Sequence, residues 1–292
     1  NMSFSSDVKQ ELNKNSNLVD KKQVKYELIG YLISGNIEIG EKNSIKFSTE
    51  SDYNINRFSK LLANLDINHN IEIVGKNFVI TLKIKDVKGL GILKENKIYP
   101  NQEINNLKEE YLKAIIRGVF MGSGSINDPN KKYHLEIVFK AEENLNIVID
   151  ILKKLDINTK KMIIENKKSL YIKEGEEISK FLALIGAAKA VMDFEEIRIR
   201  KEMRGKVNRI VNCETANLNK TINASIEQIA AIRKLKENGK FNNLSDNLKE
   251  IANLRLENPD MSLIDLGKKL NKPLGKSGVN YRLKKIMEIA NE

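Results

Sequence analysis

The chain has 292 residues, of which 41% are hydrophobic and 30% charged, a composition that allows two or three folded domains. Its one cysteine, Cys213, excludes an internal disulfide framework and a cysteine-rich zinc site, and its two histidines exclude a histidine-based metal cluster. No run approaches the roughly 20 apolar residues that span a bilayer. We therefore expect a cytoplasmic protein with no cofactor, no metal and no membrane partner.

The first third of the chain alternates helical and strand-like segments. Apolar spacing and turn residues predict, in order, a helix from Ser5 or Ser6 to about Leu12, a buried helix over 24–34, strands over 37–39 and 44–48, a helix over 55–65, a hairpin over 71–74 and 78–84, and a short helix near 87–93. A linker, Tyr99-Pro100-Asn101, closes this part.

The second third repeats the first. The predicted elements are a helix over 104–121, a strand over 134–139, a helix over 145–155, a hairpin over 161–172 and a helix over 176–185. Leu65-Asp66-Ile67-Asn68 recurs as Leu155-Asp156-Ile157-Asn158, 90 residues later, and the glycine-rich run 30–37 is echoed at 118–126. The fold class is therefore α+β, with a unit of about 90 residues used twice around a pseudo-twofold axis. Such a protein suits a twofold partner such as duplex DNA.

Positive charge is concentrated in the last third of the chain. Residues 1–197 hold 30 Lys and Arg against 28 Asp and Glu, whereas residues 198–292 hold 20 against 11. A basic segment of this kind favours a polyanionic partner, because phosphates neutralised by Lys or Arg release counterions. The alternative is a lysine-rich surface that serves only solubility.

Residues 192–223 are predicted to be a basic helical linker. Five asparagines lower its helix propensity, and residues 198–223 hold 7 basic against 2 acidic side chains. Its arginines either follow a DNA backbone or join two domains through ion pairs. These arginines are Arg198, Arg200, Arg204 and Arg209.

The last seventy residues are helical in pattern. Helices are predicted over 226–236, 248–256, 263–270 and 277–290, with Gly239 ending the first and Ser262 with Asp265 capping the third. In the last helix the spacing of Val279, Leu283, Ile286 and Ala290 defines one buried face. A short helix with Gly267 at its centre, a tight turn and a basic helix together indicate a helix-turn-helix.

The outward side of the last helix supplies the predicted DNA contacts. Such a helix enters the major groove with its N-terminus first, so its early side chains meet base edges and phosphates. Base contacts are assigned to Ser277, Asn280, Tyr281 and Lys284, and phosphate contacts to Lys276, Arg282 and Lys285. The alternative is a three-helix packing module whose basic face contacts only water.

The paired glycine-rich helices and the sheet pattern resemble the LAGLIDADG homing-endonuclease fold. In that fold the two helices end at a shared centre, and each delivers a carboxylate to the cleavage metal. Here the corresponding positions carry Gly35 and Ser123, preceded by Ile33 and Met121. Asp128 lies just beyond and is predicted to cap a turn with Asn127 and Pro129. The resemblance therefore implies a former nuclease scaffold that is not an enzyme.

Five segments narrow the resemblance to the WhiA family: 3–9 (SFSSDVK), 133–137 (YHLEI), 194–204, 207–221 (VNRIVNCETANLNKT) and 274–283 (LGKSGVNYRL). Two departures, Gly275 in place of a serine cap and Tyr281 in place of a histidine, concern the DNA sequence that is read. The resemblance implies a nucleoid-associated bacterial regulator of transcription that binds specific DNA sequences. It also implies roles in cell division, chromosome segregation and, in spore formers, sporulation.

The expected organisation is two LAGLIDADG-like repeats over 1–100 and 101–191, the linker over 192–223 and an all-α helix-turn-helix domain over 224–292. The expected partners are double-stranded DNA and another regulatory protein bound by the LAGLIDADG-like domain. Two alternatives remain open. In place of a sequence-specific regulator, the protein would be a nucleoid-associated division factor or a partner-binding scaffold, in both cases with weakly specific DNA binding.

Overall fold

The computed structural model describes residues 3–14, 18–40, 44–90, 93–94, 97–98, 106–165 and 167–292. The chain forms two compact units, residues 1–202 and 203–292. In the described part of the chain, no helix combines the length and the apolarity that a membrane span requires.

The first repeat packs helices against a four-stranded antiparallel sheet of order β1-β2-β4-β3. Its elements are α1 (Phe4–Lys14), α2 (Lys21–Ile33), β1 (Ile37–Gly40), β2 (Ser44–Thr49), α3 (Asp52–Asn64), β3 (Ile71–Val74), β4 (Asn77–Lys83), α4 (Ile84–Val87), β5 (Leu93–Lys94) and β6 (Lys97–Ile98). The predicted short helix therefore begins three residues earlier than expected. The predicted linker Tyr99-Pro100-Asn101 lies outside the described residues.

The second repeat has the same architecture, with a sheet of order β7-β8-β10-β9. Its elements are α5 (Glu109–Ser123), β7 (Gly124–Ile126), β8 (Leu135–Phe139), α6 (Glu142–Lys154), β9 (Lys160–Ile164), β10 (Lys167–Ile172) and α7 (Gly175–Leu184). One predicted boundary was wrong, and one strand was not predicted. Helix α5 begins at Glu109, because Lys108 before it has extended backbone angles, and strand β7 follows the helix directly and was missed.

The repeated tetrapeptide terminates a helix in both repeats. Asp66 and Asp156 adopt left-handed backbone angles, with φ of 61° and 58°. The next residue then folds back: the Ile67 amide donates to the Leu62 carbonyl at 3.0 Å, and the Ile157 amide donates equivalently at 2.9 Å. Aspartate tolerates this conformation better than most residues. The recurrence thus reflects one helix cap used twice, and the two repeats share one continuous hydrophobic core.

The helix pair α2 and α5 forms the centre of that core. A Cβ atom built on Gly118 would overlap the Glu27 carbonyl oxygen, and one on Gly30 would lie 2.9 Å from the Gly118 Cα. The missing side chains therefore let the two backbones touch. Beside the crossing, Arg57 holds the buried Glu27 carboxylate through two hydrogen bonds of 2.8 Å. Arg117 approaches the same carboxylate at 3.3 Å.

One helix, α8 (Ala188–Glu237), begins in the first unit and ends in the second. The predicted helix over 226–236 is its last part, and Gly239 ends it with a φ of 74°, as expected. The predicted weak helicity of the asparagine-rich stretch is wrong, because the helix is continuous through it. Residues 206–224 are all exposed, so apolar side chains such as Val207 and Ile210 lie on the surface of this segment.

The second unit completes an all-α domain. Its further helices are α9 (Asp246–Glu257), α10 (Leu263–Lys269) and α11 (Lys276–Asn291). They pack with the end of α8 around a separate hydrophobic core, whose members include Ile232, Ile251, Leu266, Val279 and Leu283. This core holds α10 and α11 in the arrangement that the sequence predicted.

Candidate nucleic-acid interface

Helices α10 and α11 meet closely at Gly267. A Cβ atom at this position would overlap the Leu274 carbonyl oxygen, and the Leu274 amide donates to the Gly267 carbonyl at 3.1 Å. At the start of α10 the Asp265 amide donates to the Ser262 hydroxyl oxygen at 3.2 Å, as the capping prediction required. Hydrogen bonds from Lys268 and Ser262 lower the pKa of Asp265. Backbone contact and capping together fix the turn that orients α11.

Helix α11 has the two faces that its sequence predicted. Val279, Leu283, Ile286 and Ala290 are at most 3% exposed and contact the domain core. The opposite face carries Lys276, Ser277, Asn280, Tyr281, Lys284 and Lys285, all of them exposed. Burial of one face therefore presents six of the seven predicted contact residues to solvent.

Arg282, the seventh predicted contact residue, is half-buried on the flank of α11. Its guanidinium lies 3.5 Å from the carbonyl oxygen of Asn247 on α9. Helix α11 begins after its N-cap residue, Gly275, and has no acidic residue in its first turn. Its free amides and helix dipole therefore favour a negatively charged neighbour.

The linker arginines have different surroundings. Arg198 forms an ion pair of 3.0 Å with Glu195, and Arg200 lies 3.8 Å from Glu196, both within helix α8. Arg204 is exposed, and Arg209 donates to the Gly205 carbonyl at 3.2 Å within the same helix. Both predicted roles, DNA contact and domain docking, stay open for these four side chains.

The ends of α2 and α5 are packed against backbone. A Cβ atom on Gly35 would lie 2.6 Å from the Val138 carbonyl oxygen, to which the Ser123 hydroxyl donates at 2.7 Å. There is accordingly little room for a carboxylate at position 35. Among the described residues, no cluster of three or more His, Cys, Asp or Glu side chains has the arrangement of a metal site.

Asp128 caps a turn, as predicted, but its partner differs from the one expected. Its carboxylate accepts hydrogen bonds from the Asn130 backbone amide at 2.9 Å and side-chain amide at 3.0 Å. These bonds hold the pKa of Asp128 below its ordinary value. The expected partners Asn127 and Pro129 do not donate to this carboxylate, since proline lacks an N–H and the Asn127 amide donates to His134.

Two polar residues in the second unit were missed by the sequence reasoning. Gln228 on α8 and Arg255 on α9 are only 5% and 1% exposed. A signal was available: Arg255 follows Ile251 by four residues, and Gln228 precedes Ile232 by four, so both stand on apolar faces. A polar residue on such a face is informative because its burial is costly.

Comparison with known proteins places these observations in a family. The family model described as the WhiA LAGLIDADG-like domain matches residues 112–204, and the WhiA C-terminal HTH domain matches residues 207–290. "Probable cell division protein WhiA" of Clostridium tetani is 38% identical over 313 residues, covering 100% of this chain and 98% of that protein. The chain belongs to the WhiA family. The Clostridium beijerinckii relative of the same name is 39% identical over 311 residues, with the same coverage.

Solved structures of the family agree with the fold. Full-length DUF199/WhiA from Thermatoga maritima matches with a TM-score of 0.63 and 30% identity, over 99% of this chain and 98% of that one. The N-terminal LAGLIDADG domain of DUF199/WhiA matches 64% of this chain and 94% of its own length, with a TM-score of 0.53 and 26% identity. The predicted fold class, a LAGLIDADG-like α+β domain followed by a helix-turn-helix domain, is confirmed.

Proposed function

We propose that this WhiA-family chain binds double-stranded DNA through α11. The observation that carries the proposal is the two-faced character of this helix: its apolar side is buried, and its basic side is exposed. Lys276, Arg282 and Lys285 would contact phosphates, while Ser277, Asn280, Tyr281 and Lys284 would read base edges in the major groove.

The role that follows is regulation of transcription in connection with cell division. Relatives over the full chain are named cell division proteins, and a DNA-reading helix is the part that a regulator requires. The resemblance extends the role to chromosome segregation and, in spore formers, sporulation. The protein would act in the cytoplasm, associated with the nucleoid.

We also propose that the LAGLIDADG-like domain has no nuclease activity. Phosphodiester cleavage by this fold needs carboxylates at the helix ends that converge on a divalent cation. Gly35 and Ser123 occupy those positions, and the backbone of Val138 fills the space beside them. The test is incubation of plasmid DNA with the full chain and magnesium or manganese, for which we expect no nicking.

One observation favours a second function for the first unit, the binding of another regulatory protein. Edge strands β3 and β9 occupy equivalent places in the two sheets, and each exposes apolar side chains. These are Ile71, Ile73 and Val74 in one repeat and Ile163 and Ile164 in the other, with exposed fractions from 41% to 72%. Exposed apolar side chains on edge strands are typical of surfaces that pair with another chain.

Chromatin immunoprecipitation with sequencing tests the regulatory role. Wild type is compared with the Lys284→Ala, Lys285→Ala double variant, and with Lys153→Ala, Lys154→Ala as a matched control. The control removes two adjacent exposed lysines from the end of α6. We expect sharp promoter peaks that disappear only in the α11 variant. Broad coverage, or peaks present in both variants, would instead favour a nucleoid-associated division factor or a partner-binding scaffold.

A further inference from the structure

A cleft of about 250 Å³ lies in the second unit beside the recognition helix α11. Its walls come from four helices: the last part of α8, the buried face of α9, the start of α10 and the first turns of α11. Lys276 and Asn280 of α11 belong to the lining, so the cleft adjoins the proposed DNA-binding face.

Two residues that line the cleft, Arg255 and Gln228, each have one buried polar atom to which no described residue forms a hydrogen bond. Arg255 Nε and Gln228 Oε1 have no hydrogen-bond partner among the described residues, although both atoms are buried. The Arg255 side chain is held in place, since its Nη1 donates to the carbonyl oxygens of Asn258, Pro259 and Met261. A buried donor and a buried acceptor without partners are costly, so a ligand that pairs with both would be stabilised here.

The electrostatic surroundings favour an anion. Arg255 forms no ion pair with an acidic side chain in the described part of the chain, and burial lowers the pKa of its guanidinium. Lys220 and Lys276 add two further positive charges to the lining. The lining includes Lys276, the first residue of α11, so the N-terminus of this helix adjoins the cleft. Its dipole also favours negative charge, and its first turn holds no acidic side chain.

We propose that this cleft is a phosphate-binding site. Arg255 Nε, Lys220 and Lys276 would donate to the phosphate oxygens, and Gln228 Oε1 would accept from a hydroxyl or amino group of the same ligand. Leu263 and Ile264 supply an apolar wall against which an organic group can pack.

The Gln228 acceptor favours a small phosphorylated molecule over the DNA backbone as the source of the phosphate. A phosphodiester in DNA carries only acceptor oxygens and would leave Gln228 Oε1 without a donor. A phosphate monoester such as a nucleotide brings hydroxyl groups of its own. Because Lys276 and Asn280 serve both surfaces, occupation of the cleft would alter DNA binding. Only this coupling rests on the proposed function.

Isothermal titration calorimetry of the full chain with inorganic phosphate tests the site directly. At neutral pH this probe carries anionic oxygens and a P–OH donor. We expect saturable binding to wild type, weakened roughly tenfold in Lys220→Gln and in Gln228→Met, since each loses one hydrogen bond to the ligand. Lys234→Gln, which removes an exposed lysine of α8 outside the cleft, should bind phosphate like wild type.

Thermal denaturation without phosphate shows whether each variant is folded. Gln228→Met removes a buried polar group that has no partner, so the unliganded variant should melt at or above the wild-type temperature. A folded Gln228→Met variant with weakened phosphate binding would support the site. Phosphate binding that neither Lys220→Gln nor Gln228→Met changes would overturn it.

A second arm separates the two sources of phosphate. If the cleft binds a DNA phosphate, we expect no binding of inorganic phosphate to the wild type. Lys220→Gln should then bind unrelated duplexes more weakly than the wild type does, with a salt slope lower by about 1. That outcome supports a phosphate site and overturns the small-molecule assignment. If the wild type binds no inorganic phosphate and Lys220→Gln leaves DNA binding unchanged, the phosphate site is overturned altogether. If the wild type binds no DNA, the proposed function is refuted. The phosphate titration still tests the phosphate site in that case.

Discussion

Asn54 and Asn144 occupy equivalent places in the two repeats, and the side-chain amide of each is directed to a backbone carbonyl of the other repeat. Asn54, on α3, donates its side-chain amide to the Met121 carbonyl at the end of α5, at 2.9 Å. Asn144, on α6, is directed equivalently to the Ile33 carbonyl at the end of α2, at 3.5 Å. Both side chains are buried. In the LAGLIDADG homing endonucleases these helix ends hold catalytic carboxylates. Here each helix end instead accepts a hydrogen bond from an asparagine side chain of the other repeat.

Gly118 is expected to be the glycine least tolerant of substitution in this helix pair. In Gly118→Ala the new methyl group would overlap the Glu27 backbone, so α2 and α5 would have to separate. We expect a loss of roughly 3 kcal/mol in the free energy of unfolding. Urea denaturation followed by circular dichroism measures it.

Gly89→Ala is the matched control for Gly118→Ala. A Cβ atom at Gly89 would meet no other atom within 4 Å, and the position belongs to the same repeat pair. We expect a change within about 0.5 kcal/mol. Equal losses at both glycines would contradict the role assigned to the helix crossing.

Lys9 gives the first unit a specific dependence on pH. Burial lowers the pKa of this lysine to about 8, and its ammonium group lies 5.6 Å from the centre of the Phe120 ring. In the unfolded chain the lysine keeps a pKa of 10.5, so the unfolded state binds more protons between these values. Stability contributed at this site therefore rises from about pH 8 to pH 10.5.

Lys9→Met should remove that dependence. The variant should be more stable than wild type by roughly 2 kcal/mol at pH 7, and the advantage should shrink as the pH approaches 10.5. Melting temperatures at pH 7 and pH 10 measure the difference. Lys14→Met, which changes an exposed lysine at the end of the same helix, serves as the control. An advantage for Lys9→Met that is independent of pH would show that packing, not charge burial, is responsible.

Tyr281 is expected to contribute to sequence preference more than to overall affinity. It is 67% exposed on the outward face of α11, so its replacement leaves the domain core unchanged. Tyr281→Ala should weaken binding to a promoter fragment enriched by immunoprecipitation roughly tenfold, while binding to a scrambled duplex changes little. Competition binding with the two duplexes measures the ratio. An equal loss on both would assign Tyr281 to the DNA backbone.

Much of the first unit could be predicted from the sequence because the spacing of its apolar residues differs between helices and strands. Alternating apolar residues and turn residues located strands such as β3 and β8 to within one residue. Strand β7 was missed because it has three residues and follows α5 without a turn, so no periodicity marks it. The cross-repeat contacts of Asn54 and Asn144 could not be predicted, since they depend on how two distant helices meet.

The second unit shows a similar division. The apolar face of α11 was predicted residue by residue, because a helix with one buried side leaves a regular pattern. The continuity of α8 through five asparagines was not, since low intrinsic propensity is only a weak guide to helix ends. The cleft around Arg255 was also missed, because its lining comes from four helices and depends on how they pack together.

Direct DNA binding by α11 is the central claim, and its salt dependence is the most direct test. Fluorescence anisotropy with a labelled duplex compares the full-length wild type, Lys284→Ala with Lys285→Ala, and the Lys153→Ala, Lys154→Ala control across a range of salt concentrations. We expect the α11 variant alone to bind more weakly, with a salt slope reduced by about 1 for each lysine that contacts a phosphate. Equal affinities and slopes for all three proteins would contradict the account.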